Sequence, residues 1–206
     1  MLITHEHCDH TSGLATLVRL LGDRLPVYLT HRTAPCLDWG ECVPVIEVFQ
    51  AGCGFTIGDF NIASFTIPHD AADPVGYTVS AQGIKIAIAT DLGYIPDSLR
   101  VHFRDTDVLL LESNHDLEML RVGPYPWSVK QRVMSRRGHL SNEVAADFIR
   151  RDLDGRVSTL ILGHLSEHNN HPELVRRMGF DALEGRTLFT QLVVAEPGRP
   201  SPVFEY

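Results

Sequence analysis

Two stretches of this chain, DVLLLES (Asp107–Ser113) and VSTLILGH (Val157–His164), are almost wholly apolar for the length of a strand and then stop on polar residues. Such runs suit strands covered on both faces, in the middle of a sheet flanked by other layers. Helical patterns accompany them. SNEVAADFIRRDL (Ser141–Leu153) offers Ser141 as a cap and sets Val144, Ala145, Phe148 and Ile149 on one face, and HPELVRRMGF (His171–Phe180) follows. Earlier, Ser12–Leu21 places Leu14, Leu17, Val18 and Leu21 at helical spacing behind a Ser12 cap, and Leu25–Thr30 reads as a short buried strand. Val45–Thr66 alternates around a Gly-Asp turn, as a hairpin does. PVGYTVSAQGIKIAIATD adds two strands about Ala81-Gln82-Gly83, and RTLFTQLVVAEPG reads as a closing strand. With no repeat and no Gly/Ser-rich linker, the pattern predicts one α/β domain with mixed sheets over residues 1–206.

Composition narrows the function classes. A net charge of −8 argues against a general electrostatic nucleic-acid binder, so any such contact must rest on a local patch. The four cysteines (Cys8, Cys36, Cys42, Cys53) form no C-x-x-C pair and read as reduced thiols. There is no apolar run long enough to span a membrane and no basic-then-apolar leader, which predicts a cytoplasmic protein.

The ligand-type residues fall where strands end. His5, His7, Asp9 and His10 follow Met1-Leu2-Ile3; His69 and Asp70 follow ASFTIP; Asp91 ends KIAIATD; Glu112 and His115 follow VLLL; His164 ends TLILG. Strand ends in α/β folds converge on one edge of a rigid sheet, where active sites gather. Within ITHEHCDH, His5 and His7 can reach one cation from a tight loop, while Asp9 and His10 face a second beside it. Two cations about 3.5–4 Å apart would hold a nucleophilic water between them, as in phosphodiester hydrolysis. Imidazole and carboxylate ligands without thiolate suit Zn²⁺ or Mn²⁺ and do not separate the two. Glu6 reads as a solvated or supporting residue rather than a ligand.

These residues resemble a known family. THEHCDHTSGL is similar to the H-x-H-x-D-H motif of the metallo-β-lactamase superfamily. PHDAADPVGYTV, ATDLGY, LLLESNHDLEML, RRGHLSNEVAA and GHLSEHNNHPELV resemble its YycJ/WalJ branch, from Ile3 to about Glu173. The resemblance implies a four-layer αββα sandwich whose first strands would precede Met1, so that the domain is incomplete at its N-terminus. It also implies two divalent ions per chain: His5, His7 and His69 on one, Asp9, His10 and His164 on the other, and Asp91 bridging. Asp9 would also orient or deprotonate the attacking water. Members of the branch are cytoplasmic DNA exonucleases linked to repair, so the implied activity is 5′ end-directed exonucleolysis of DNA.

His139 in GHLSNEVAA is similar to a histidine that tRNase Z-like phosphodiesterases keep near the scissile phosphate, with Glu112 as the candidate acid beside it; the plain alternative is a loop residue before a helix. His115 reads as a phosphate contact or a supporting residue. Lys130, Arg132, Arg136 and Arg137 form a basic run that either meets backbone phosphates or is a solvated helix face. Ser166, Asn169 and Asn170 either bind phosphate or cap the next helix. His31, His102, His168 and His171 are expected at the surface. Two other activities fit the same residues: hydrolysis of a small ester, lactam or thioester, or an inactive metal-binding domain.

Overall fold

The computed structural model describes residues 1–40, 42–186 and 189–206. Among them the strands form two sheets. In the smaller, β1 (Val27–Thr30) pairs parallel with β2 (Ile46–Phe49), and Leu2 bridges to Tyr28 along the free side of β1. The larger sheet holds β3 (Gly54–Ile57), β4 (Phe60–Thr66), β5 (Val75–Ala81), β6 (Ile84–Ala89), β7 (Val108–Glu112), β8 (Thr159–Gly163) and β9 (Gln191–Val194), side by side in chain order.

Pairing is antiparallel from β3 to β6 and parallel from β6 to β9. The connections explain the change. Gln82 and Gly83 both take positive φ (52° and 83°), the backbone that a two-residue type I′ hairpin turn needs between β5 and β6. Parallel neighbours need crossovers instead. These are α3 (Asp97–Phe103) before β7, then α4 (Leu117–Val122), α5 (Trp127–Val133) and α6 (Asn142–Asp152) before β8, and α7 (Pro172–Leu183) before β9. Two antiparallel steps restore direction, so β4, β6, β7 and β8 all end at one edge. The residues after those ends include His69, Asp91, Ser113 and His164.

Three apolar clusters mark the interfaces between layers. Leu14 and Val18 of α2 (Leu14–Leu21) pack with Ile3, Val27 and Leu29 against the small sheet. Ile62, Val75 and Tyr77 pack with Leu2, Phe49 and Phe55 between the sheets. The largest cluster joins Leu109, Leu111, Leu160 and Leu162 to Leu99, Phe103, Phe148, Ile149, Val175 and Ala182 of the outer helices. Those four leucines are almost fully buried, each worth roughly 1.5–3 kcal/mol, which is why β7 and β8 read as uninterrupted apolar runs. The layer order is helix, sheet, sheet, helix, the metallo-β-lactamase-type arrangement.

Several local expectations change. Ser12 does not cap α2. It closes the short α1 (Cys8–Thr11), its N–H donating to Cys8 O, and Gly13 precedes α2 instead. The hairpin is β3–β4 alone, because β2 pairs with β1 in the smaller sheet. Val144 is 44% exposed; Ala145, Ala146, Phe148 and Ile149 form the buried face of α6. α3, α4 and α5 are too short for a periodicity to stand out. Of the expected closing strand, Thr187 and Leu188 lie outside the described residues, and β9 accounts for Gln191–Val194. No helix among the described residues is long and apolar enough to cross a membrane.

Candidate metal centre

The segment that delivers the first ligands is fixed on both sides. Ile3 N–H donates to Tyr28 O at 2.9 Å and Tyr28 N–H to Met1 O at 2.8 Å, tying it to β1. Val75 N–H reaches Thr4 O at 3.1 Å, and the buried Tyr77 hydroxyl donates to Ile3 O, tying it to β5. The chain then turns into α1, which carries Asp9 and His10. Glu6 Oε1 accepts Ala72 N–H at 2.8 Å and so joins this loop to the one bearing His69, as a supporting residue does.

His5 Nε2 and His69 Nε2 each lie 3.1 Å from His7 Nδ1. Three ring nitrogens facing one another in this way suit a cation between them: about 2.0–2.1 Å from a tetrahedral ion, neighbouring nitrogens stand roughly 3.3 Å apart. Beside them Asp9 Oδ2 is 3.5 Å from both His10 Nε2 and His164 Nε2. Asp91 stands between the groups, with Oδ1 3.6 Å from His69 Nε2 and 3.7 Å from His164 Nε2, and Oδ2 3.3 Å from His10 Nε2. All seven residues expected as ligands therefore meet at one place, in overlapping groups able to hold a metal.

The donor set fits a divalent ion on two further counts. His10 Nε2 and Asp91 Oδ2 are buried yet have no aligned hydrogen-bond partner, which is costly unless a cation satisfies them. Burial pushes His5 down to about 3 and lowers His69, leaving neutral rings with free lone pairs. Burial works against protonation of His164 as well, but hydrogen bonds to Asp9 and Glu112 push it up to about 11, so the pocket is built around a positive charge at Nε2. Burial alone would raise Asp91; the nearby rings of His10, His164 and His5 hold it well below the usual carboxylate range. The backbone confirms how tightly the positions are held. Asp91 and His164 both sit at positive φ, 64° and 59°, which non-glycine residues adopt where surrounding structure dictates it.

Glu112, fully buried, organises the rest. Its Oε1 accepts Nδ1–H from His139 at 2.8 Å and from His164 at 2.7 Å, and its Oε2 accepts Leu92 N–H at 2.8 Å and Leu140 N–H at 2.9 Å. A carboxylate has no proton to offer, so both rings carry theirs on Nδ1 and turn Nε2 outward. Burial would raise Glu112, but its hydrogen bonds with the two histidines hold it ionised. For His139, burial is outweighed by Glu112, which raises it. Its ring lies 5.1 Å from that of His69 and 5.5 Å from that of His164, centroid to centroid. The family resemblance implied Glu112 as the candidate partner of His139; the hold on His164 it did not imply.

Other expected contacts divide. Arg136 lies over the Tyr94 ring at 4.2 Å, Arg137 Nε donates to His69 O at 3.2 Å, and both side chains reach solvent. Arg132 pairs with Asp70, a residue beside His69 whose part the strand-end pattern left open. Lys130 is buried and donates to Arg121 O at 2.7 Å, so it leaves the basic run. Asn169 and Asn170 are buried rather than presented to a substrate. Asn170 donates to Ser113 O and Asn114 O, both at 2.9 Å, and accepts from Asn142, while Ser166 Oγ accepts Asn169 N–H at 3.2 Å. Asn114 Nδ2 reaches His164 O at 2.9 Å. These amides clasp the loops after β7 and β8 to the start of α6. His115 is 1% exposed, burial pushes it down to about 4, and its Nδ1 has no partner among the described residues. His31, His168 and His171 are exposed; His102 is half-buried, stacked on Phe65.

The family profile described as a beta-lactamase superfamily domain matches residues 1–164. The chain belongs to that superfamily. It is 38% identical over 188 residues to exodeoxyribonuclease YycJ of Bacillus anthracis, covering 89% of this chain and 70% of the relative. It is 36% identical over 203 residues to exodeoxyribonuclease WalJ of Streptococcus pneumoniae, covering 96% and 71%. The chain is thus a YycJ/WalJ-like, metal-dependent hydrolase of the superfamily. Solved structures share its fold. The metallo-beta-lactamase fold protein YhfI from Bacillus subtilis superposes with a TM-score of 0.68 at 18% identity, over 96% of this chain and 75% of that one. Human tRNase Z, short form, gives 0.59 at 18%, over 95% and 75%.

Proposed function

We propose that the chain is a phosphodiesterase, a 5′ end-directed DNA exonuclease serving DNA repair in the cytoplasm, where its four unpaired thiols suit a reducing compartment. His5, His7 and His69 would hold one divalent ion, Asp9, His10 and His164 a second, and Asp91 both; Zn²⁺ and Mn²⁺ each suit the donors. Ions bound there supply Lewis-acid polarisation of the phosphate and a more acidic water. The residues do the rest. Asp9, a carboxylate open to solvent beside the other ligands, would also orient the attacking water or accept its proton. His139, raised and fixed by Glu112, carries a proton to the departing 3′ oxygen. The residues form a single domain over 1–206.

The observation that carries this reading is the Glu112–His139 pair beside the ligand cluster. A phosphodiester needs a proton on its leaving oxygen, and Glu112 holds the His139 ring by Nδ1–H with Nε2 turned outward and favours its charged form. The kinship with exodeoxyribonucleases of 36–38% identity supports DNA as substrate. The test is degradation of 5′-phosphorylated duplex DNA by protein loaded with Mn²⁺ or Zn²⁺, run beside a simple lactam. Shortening from the 5′ end is expected. Hydrolysis of the lactam with DNA left intact would overturn the proposal.

A further inference from the structure

Next to the ligand cluster lies a cleft of about 600 Å³, walled by Arg32, His69, Asp73, Tyr94, Arg136 and Arg137 among others. That volume falls in the roughly 300–1,000 Å³ range of small-ligand sites. Four separate stretches build it: the residues after β1, the β4–β5 loop, the residues after β6, and the turn after α5. Three arginines therefore line one cleft in a protein of net charge −8, against one lining carboxylate, Asp73.

The cleft and the ligand cluster are one mechanical unit. His69 Nδ1–H donates to Gly138 O at 3.1 Å, and Arg137 Nε donates back to His69 O at 3.2 Å. Gly93 N–H donates to Pro68 O at 3.1 Å, and a Cβ at Gly93 would stand 2.2 Å from the Arg136 carbonyl carbon. The arginine-bearing turn is thus seated on the loop that presents His69. Arg136 in turn lies over Tyr94, its guanidinium carbon 4.2 Å from the ring centroid, which presents a cation beside an aromatic surface.

We infer that this cleft receives an unpaired nucleotide of the substrate strand next to the scissile phosphate, its phosphate held by Arg32 and Arg137 and its base stacked on the Arg136–Tyr94 pair. The inference rests on the nuclease reading of the ligand cluster. Guanidinium forks match phosphate oxygens, and every base has a face to stack whatever its identity, so the cleft recognises single-stranded character rather than sequence. Arg32 stood outside every sequence pattern, and Tyr94, though it ends ATDLGY, was assigned no role there, since neither lies in the basic run.

Binding of a fluorescein-labelled oligonucleotide with a single-stranded 5′ extension, followed by anisotropy in EDTA across a range of salt, tests the cleft without turnover. Arg32→Ala should weaken binding and reduce the salt slope by about one. Tyr94→Ala should weaken it about tenfold, Tyr94→Phe should restore it, and the Tyr94→Ala loss should vanish when abasic residues replace the extension. Arg32 is exposed, so its variant reports even if Tyr94→Ala fails to fold. Wild-type affinity and slope in both alanine variants would overturn the cleft. Degradation of the same DNA by metal-loaded wild type is read in parallel. Degradation with unaltered variant binding sinks the cleft alone, whereas weakened variant binding without degradation sinks the nuclease reading alone.

Discussion

Glu112 Oε1 accepts Nδ1–H of His164 at 2.7 Å, and the same oxygen accepts from His139 at 2.8 Å. One buried carboxylate thus sets the tautomer of a candidate ligand and of a candidate proton donor together. Glu112→Gln puts an amide where four donors converge, so at least one must turn away. Loss of such a supporting partner typically costs about 10–100-fold in metal affinity or activity. Both metal affinity, by calorimetric titration, and the rate on DNA should fall by that order. Unchanged values for both would mean the pair is only packing.

Removal of metal should destabilise the fold. His10 Nε2 and Asp91 Oδ2 lack aligned partners, and Asp9 and Asp91 share one small volume. An ion at about 1,000 times its Kd adds about 4 kcal/mol, and each kcal/mol moves the melting temperature of a chain this long by roughly 2–4 °C. Addition of Zn²⁺ to chelator-stripped protein should raise Tm by roughly 10 °C, and Asp91→Ala should abolish most of the rise. A Tm indifferent to Zn²⁺ would contradict the ligand set.

Gly93→Ala should disturb both sites from a distance. The added methyl meets Arg136 and Arg137 backbone at 2.2–2.6 Å, which cannot give as a side-chain tip would. Overpacking of this kind costs about 1–3 kcal/mol. Denaturant midpoints should fall accordingly, and the rate on DNA should fall further than stability alone explains, because the turn carries Gly138 O, the partner of His69 Nδ1. A rate loss that disappears once the folded fraction is corrected for would count against the coupling.

Acid should weaken the sheet at Asp107, just before β7. Its carboxylate accepts Lys85 N–H at 2.8 Å and Arg156 Nε–H at 2.9 Å. Burial would raise it, but Arg156 and the Lys85 N–H hold it below its ordinary value. A depressed carboxylate contributes stability that is present above the unfolded pKa of about 3.9 and lost as pH falls through the folded one. Asp107→Asn should therefore cost on the order of 1 kcal/mol at pH 7, with the difference from wild type shrinking below about pH 4. A pH-independent difference in urea midpoints would refute the linkage.

Residue type and local spacing marked the candidate ligands at the strand ends, and the family resemblance implied which seven of them to group. H-x-H-x-D-H and the polar stops after apolar runs are local facts, and a sheet whose parallel strands end at one edge brings them together with little freedom. The apolar runs of β7 and β8 were equally legible, because burial on both faces leaves no alternation to misread. What sequence alone left open depends on contacts between distant stretches. Nothing near Lys130 announces that its ammonium is spent on Arg121 O, nor does HLSEHNNHPE reveal that Asn170 is clasped inward. The second partner of Glu112 lies 52 positions away, and Arg32 lines the same cleft as Arg136 only because the small sheet packs over the large one. Local patterns specify which chemistry the chain can offer. Tertiary packing decides which of those groups face one another, because hydrogen-bond partners are set by backbone paths that no short window of sequence contains.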